Sequence, residues 1–262
     1  MSGVLVNVGV VADVPALLGG GAAAGADRPL LTYYDDSTGE RTELSAAALA
    51  GWASRTAGLL HQGCGLDVGD GAAVLLPPHW QTAAVLLGAW SAGLAVSFRL
   101  WATAGLLMSG PGDDEPLDAV FVVRSRLDSW LDAVPEARHR FVFGLAPAAG
   151  VLDEVPAGYR DYIAEVGRYT DSLPAYAPIR RSDAASVDGT TFREWGSLAH
   201  EVAVSLDLRA TDRLLIDVAE HEHPLKWLLA PLAVGASVVL CANLDPATVD
   251  ARAAAEHVTR VL

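Results

Sequence analysis

The chain has 262 residues, of which 52% are apolar and 19% charged, a composition that builds a globular, extensively buried protein and excludes disorder. A formal net charge of −14 repels phosphate backbones and anionic lipid, so neither a nucleic-acid partner nor a membrane surface is expected. Lys226 is the single lysine, which leaves one candidate for any chemistry that needs a mobile ammonium.

Cys64 and Cys241 lie far apart and read as small buried hydrophobes in a reducing compartment. No basic region precedes Val4–Val11, Asn7 and Asp13 break the apolar character there, and no uncharged apolar run reaches membrane-spanning length. A cytoplasmic location follows as the expectation.

In chain order, a weak helix is expected over Val10–Leu18, then a flexible Gly/Ala stretch around Gly19, Gly20 and Gly21. Those three glycines lack a preceding strand and a following Gly-Lys-Ser/Thr, so they read as a loop and not as a phosphate cradle. Pro29–Tyr34 and Arg41–Leu44 read as a hairpin around Asp35–Gly39, whose polar side chains bond their own backbone and whose glycine supplies positive φ. Ser45 caps a helix to Leu60 with an apolar stripe of Leu49, Trp52, Ala53, Thr56, Leu59 and Leu60.

The stretch from Asp70 to Phe98 organises the rest. Ala72–Leu76 is a strand buried on both faces, Pro77 and Pro78 stop it, Trp80–Ala92 is a buried helix, Gly93 follows its C-cap, and Leu94–Phe98 is a second buried strand. Such a unit means parallel strands and a right-handed crossover.

Beyond it, helices are expected over Arg99–Met108, Asp128–Ala133 and Tyr159–Tyr169, with strands over Leu117–Val123 and Arg140–Leu145. A long loop or junction over Ser172–Asp188 precedes a helix from about Arg193 to Leu206, capped by Thr191. Arg213–Val218 and Ala236–Cys241 are strands around a helix over Pro224–Val234, and a last helix runs from Ala247 to about Val261. The alternation predicts an α/β fold of doubly wound, mostly parallel sheets with flanking helices. Its divisions are a flexible N-terminal segment 1–28, a first α/β subdomain 29–172, a junction 173–188 and a smaller subdomain 189–262.

LLTYYDDSTGERTELSAAALAGWASRTAGLL and GLDVGDGAAVLLPPHWQTAAVLLGAWSAGLAVSF resemble the opening hairpin, helix and strand–helix–strand of the AMP-binding adenylate-forming family, which includes acyl-CoA synthetases, adenylation domains and luciferases. Residues 186–245 resemble it more faintly. In that family a loop of the type Thr-Ser-Gly-Thr-Thr-Gly-x-Pro-Lys-Gly holds ATP phosphates through backbone amides, hydroxyls and lysine. Its counterpart here runs through Asp188, Gly189, Thr190, Thr191, Phe192, Arg193, Glu194, Trp195 and Gly196. The resemblance therefore marks Asp188, Gly189, Thr190, Thr191, Arg193 and Gly196 as vestiges of a nucleotide loop, with ATP or AMP as the implied ligand.

Three departures oppose that ligand. Trp195 stands where the lysine belongs, Phe192 adds bulk where backbone must approach the ligand, and Asp188 and Glu194 set carboxylates against an anion. Each like-charge contact at ~4 Å costs on the order of 4 kcal/mol at an effective dielectric near 20. An ordinary Asp/Thr cap before a helix explains the same residues.

The family also carries an aromatic-His element that lines its acyl pocket. Ala219–Leu225 stands there, which makes His221, His223 and Trp227 the pocket candidates. Alternate residues of an extended segment point the same way, so the two imidazoles could converge with Glu220 and Glu222; with no third ligand at metal spacing, they read as loop histidines. The resemblance implies that full enzymes continue with acidic Mg/ribose motifs and a C-terminal domain carrying a second lysine, neither of which is found in these residues.

Three readings follow. The chain is a catalytically degenerate binding or interaction module, open to a protein partner, self-association or a small acyl or nucleotide ligand. Alternatively it is the binding half of a split acyl-adenylating ligase, or an unrelated enzyme that uses His221 and His223 on the same scaffold.

Overall fold

The computed structural model describes residues 29–98, 100, 117–129, 134–171 and 179–262. The helices read over Val10–Leu18 and Arg99–Met108 and the glycine run at 19–21 fall outside these residues, Leu100 excepted.

Strand β1 (Leu31–Asp35) and β2 (Glu40–Leu44) form the expected hairpin. The Asp35 carboxylate accepts the Ser37 N–H and hydroxyl, and Gly39 takes φ 75°. Ser45 accepts from Ala48 N at 3.1 Å and starts α1 (Ala46–Gly58), which runs on into a π turn over Leu59–Gly63. Next come β3 (Gly71–Leu75), α2 (Trp80–Ser91) and β4 (Ala95–Phe98). Gly93 closes α2 at φ 84°, a conformation that an L side chain rarely adopts.

The chain continues through β5 (Leu117–Val123), α3 (Arg124–Leu127), β6 (Ala137–Phe143), β7 (Arg160–Asp161) and α4 (Tyr162–Val166). It finishes with α5 (Phe192–Ser205), β8 (Arg213–Asp217), a π turn over Leu225–Leu229 leading into α6 (Ala230–Val234), β9 (Ser237–Ala242), α7 (Val249–Ala255) and β10 (Arg260–Val261).

The strands build two five-stranded sheets. The first, β4-β3-β5-β6-β7, is parallel throughout; the second, β10-β8-β9-β1-β2, is parallel apart from β2. Sheet membership does not follow chain order. The hairpin, grouped by sequence with residues 29–172, hydrogen-bonds through β1 to β9 of the C-terminal stretch.

One continuous core joins the inner faces of both sheets with α1, α2 and α5. Every residue of α2 from Trp80 to Trp90 is buried, as the apolar run required. Cys64 and Cys241 are free, buried thiols. Among the described residues no helix is long and apolar enough to cross a membrane.

Four expected elements differ. A helical turn follows β5 directly at Arg124–Leu127, so Asp128 lies past its end and not at the start of a helix; residues 130–133 are outside the described set. The helix read over Tyr159–Tyr169 shrinks to Tyr162–Val166, because Arg160 and Asp161 pair with Phe141 and Val142, and Asp161 caps the turn by accepting from Ala164 N at 2.8 Å. The loop read over Ser172–Asp188 gains sheet contact where Ser186 bridges Val96. The last helix stops at Ala255; His257 takes φ 53° and Arg260–Val261 pair with Leu214 and Leu215.

Candidate functional site

The nucleotide-loop counterpart is a tight hairpin laid against the edge of the first sheet. Val96 N donates to Ala185 O at 2.9 Å and Val187 N donates to Val96 O at 3.4 Å, so β4 gains a short extra neighbour. The turn closes through Ala185 N and Ser186 N, both donating to Thr190 O, and through Gly189 N donating to Ser186 O at 3.0 Å. Gly189 sits at φ 88° with open space beside it.

Asp188 points into its own turn. Its Oδ1 accepts from Ser186 Oγ at 2.7 Å and from Thr190 N at 2.9 Å. Burial pushes this carboxyl up, but those hydrogen bonds outweigh it and hold the group below the usual carboxylate range. Thr191 caps α5 in a capping box: Thr191 N and Oγ1 donate to Glu194 Oε2, and Glu194 N donates back to Thr191 Oγ1 at 3.3 Å. The Thr191 amide and hydroxyl keep the Glu194 carboxyl ionised to lower pH.

Phe192 N donates to Asp183 O, Arg193 N to Arg181 O, and Trp195 N to Thr191 O. Apart from that of Asp188, every backbone N–H from Ala185 through Trp195 therefore has an acceptor within the protein. A phosphate cradle needs such amides turned outward and free. This loop spends them on itself and adds two carboxylates, so its residues do not fit a phosphate.

Trp195, at the lysine position, is 7% exposed and faces inward. Its Nε1 donates to Ser186 Oγ at 2.9 Å, and Trp90 Nε1 donates to Ala185 O at 2.9 Å. The indole stacks on His223 at 5.7 Å and meets Phe98 edge-on at 5.6 Å. Arg193 is exposed and Gly196 is buried on the inner side of α5.

The two histidines have different surroundings. Val218–Glu220 is a turn, closed by Glu220 N to Asp217 O at 3.3 Å, and residues 221–223 after it belong to no strand. His223 Nδ1 accepts from Leu225 N at 3.3 Å while its ring fills the Trp195–Phe98 stack, and burial lowers its pKa. His221 Nδ1 is buried with no partner in the protein. Among the described residues no group of three His, Cys, Asp or Glu side chains is placed to hold a metal. Trp227 is buried, donates Nε1 to Glu222 O at 3.0 Å, and lines a small apolar recess with Leu30, Leu49, Leu228 and Pro231.

Sequence reasoning missed the partners that bury this loop. Trp90, Phe98 and Ser186 carry no motif, and only the register of β4 against residues 185–187 brings them to Trp195.

Replacing Trp195 with lysine is expected to destabilise the protein. The indole leaves a cavity, which costs about 3–5 kcal/mol for a large aromatic, and an ammonium takes its place in an apolar stack. A melting temperature lower by about 10 °C is the expected readout for a chain of this size. An unchanged melting temperature would show that the slot tolerates a cation.

Two largely parallel sheets joined with α1, α2 and α5 in one core, with the hairpin 184–191 at the edge of the first, make a fold similar to the N-terminal domain of acyl-CoA synthetases. An acyl-CoA synthetase from Brucella canis superposes with a TM-score of 0.68 at 18% identity, over 95% of this chain and 47% of that one. An anthranilate CoA ligase solved with anthranoyl-AMP gives 0.65 at 17% identity, over 89% and 46%. The N-terminal domain of FACL13 from Mycobacterium tuberculosis gives 0.66 at 19%, over 95% and 62%. The chain thus spans about half the length of the first two. No family model matches the sequence. A Mycobacterium tuberculosis protein described as a TIGR03089 family protein is 37% identical over 240 residues, 89% of this chain and 91% of that protein. The chain belongs to the TIGR03089 family.

Proposed function

We propose that this protein is a non-adenylating relative of the acyl-CoA synthetases, working in the cytoplasm as a binding or interaction module for a protein partner, a second copy or a small acyl ligand. The carrying observation is the closed loop: the amides from Ala185 to Trp195, apart from that of Asp188, are engaged internally, and Asp188, Glu194 and Trp195 occupy the positions that would meet phosphate.

The test is a thermal-shift titration with ATP, AMP and a non-hydrolysable acyl-adenylate. A ligand at one hundred times its dissociation constant stabilises by about 2.7 kcal/mol, a shift of a few degrees at this size. No shift with ATP or AMP is expected. A shift with either, or acyl-AMP formed by the purified chain, overturns the reading.

The half-length match to the solved synthetases favours a second reading, in which another chain supplies the remaining half. That reading calls for a broad apolar face. Among the described residues the exposed large apolar side chains are Val151, Val155, Leu198, Val204 and Val261, spread over a loop, α5 and β10. A stabilising shift with the acyl-adenylate would favour the split ligase.

A further inference from the structure

The first sheet reverses its winding between β3 and β5. From β3 the chain crosses through α2 to β4 on one side, while β5, β6 and β7 extend on the other. In open parallel sheets, ligands bind outside the carboxyl ends of the strands that flank such a reversal. Here that position holds the Pro77-Pro78-His79 turn and the N-terminus of α2, and the hairpin of the second sheet roofs it. The His79 ring meets Tyr33 of β1 edge-on at 4.3 Å and lies 5.5 Å from Trp80, which packs against Trp52 of α1 at 5.3 Å. His79, Trp80 and Gln81 are 1%, 2% and 1% exposed.

Four polar side-chain atoms in this knot have no partner in the protein: His79 Nε2, Trp80 Nε1, Gln81 Nε2 and Gln81 Oε1. Buried polar groups are almost always satisfied, so each of these calls for a partner. The His79 tautomer is set by its other nitrogen. Nδ1 accepts from Gln81 N at 3.1 Å, so in the neutral ring the proton sits on Nε2. Burial keeps the ring neutral, with its pKa pushed down to about 3. Three donor nitrogens and one acceptor oxygen are thereby buried at the positive end of a helix.

That set selects its guest. Donors and the helix dipole repel a cation. An anion would be fully desolvated and would face Asp35 and Glu40, a cross-strand pair on the hairpin face that carries Tyr33. Water is uncharged and both accepts and donates, each molecule taking up to two N–H bonds and giving up to two, so more than one molecule is needed to meet three donors and one carbonyl.

We infer that the α2 N-terminus, at the strand reversal of the first sheet, is a sealed hydration site where ordered water is held by His79 Nε2–H, Trp80 Nε1–H and the Gln81 carboxamide beneath the β1–β2 hairpin. The inference is independent of whether the 184–196 loop binds nucleotide.

The unmodified protein tests it first. Water-selective proton NMR should give cross-peaks from bound water to the His79 Hε2 and Trp80 Hε1 protons, and their absence overturns the site. The Gln81→Met variant, close in volume, gives a second reading. With water bound, methionine removes the carbonyl that accepts from the water and the amide that donates to it, so the melting temperature falls by a few degrees. If the knot is dry, methionine removes two unsatisfied atoms and the melting temperature rises; a rise therefore overturns the site as well.

Discussion

Acidification from neutral pH is expected to destabilise this fold in two overlapping windows. The first belongs to His79. Unfolded, its imidazole titrates at 6.5; folded, burial holds it at about 3. Below pH 6.5 the unfolded chain takes up a proton that the folded chain refuses. Stability therefore falls by about 1.4 kcal/mol per pH unit and flattens only below the folded pKa, a loss on the order of 5 kcal/mol in all.

The second window belongs to Glu256. Burial alone would raise this carboxyl, but Tyr34, Arg213 and Arg41 donate to it and hold it at about 2, against 4.5 when unfolded. Those bonds are short: Tyr34 Oη at 2.6 Å, Arg213 NH2 at 2.6 Å and Arg41 NH2 at 2.7 Å. This contribution is present above pH 4.5 and is lost as the pH falls toward 2. The steepest loss, roughly two protons' worth or about 2.8 kcal/mol per unit, should fall between pH 4.5 and 3. Urea midpoints across pH 3–7 measure it. In the His79→Asn variant, which keeps an N-cap side chain, the decline between pH 6.5 and 4.5 should shrink while the Glu256 window persists. An unchanged slope in that variant would remove His79 as the cause.

Much of the architecture could be read from local chemistry. Trp80–Trp90 has one face as apolar as the other, so it could only be a helix buried on all sides, and Gly93 marked its end. The two-residue strands could not be read. Arg160–Asp161 and Arg260–Val261 are too short for any periodicity, and they are strands only because β6 and β8 lie alongside. The placing of β1 beside β9 was hidden for a related reason: partners some two hundred residues apart leave no mark on either segment.

The site divides in the same way. The replacement of a lysine by Trp195 and the carboxylates at Asp188 and Glu194 were visible, and both carboxylates bond their own loop. The direction of His223 was not visible. An extended run would have set it beside His221, but the aromatic slot formed by Trp195 and Phe98 holds its ring. His79 carried no signal either, since it belongs to no motif; its ring packs against Tyr33 of a hairpin that belongs to the other sheet.

Two glycine-to-alanine changes in the paired helices α1 and α2 should move stability in opposite directions, and the larger effect is at Gly88. Alanine in a helix interior gains about 0.8–1.0 kcal/mol over glycine by propensity, and this gain is common to both sites. Surroundings decide the sign. A Cβ on Gly51 would lie 3.4 Å from Asp171 Cβ, an ordinary contact, so Gly51→Ala should raise the melting temperature by a few degrees. A Cβ on Gly88 would lie 2.4 Å from Thr56 Cβ and 2.8 Å from the Ala53 carbonyl oxygen, and neither is a mobile chain end. Thr56 cannot turn aside, because its hydroxyl is bonded to Trp52 O at 2.9 Å and to Tyr162 Oη at 2.6 Å, and Tyr162 stacks on Phe143 at 4.3 Å. The helices would have to separate. Overpacking of this kind costs about 1–3 kcal/mol, and losing the buried Thr56–Tyr162 bond adds about 1–3 kcal/mol, so the steric term outweighs the propensity gain. Gly88→Ala should therefore lower the melting temperature by several degrees; a rise like that of Gly51→Ala would mean that the two helices can move apart without loss.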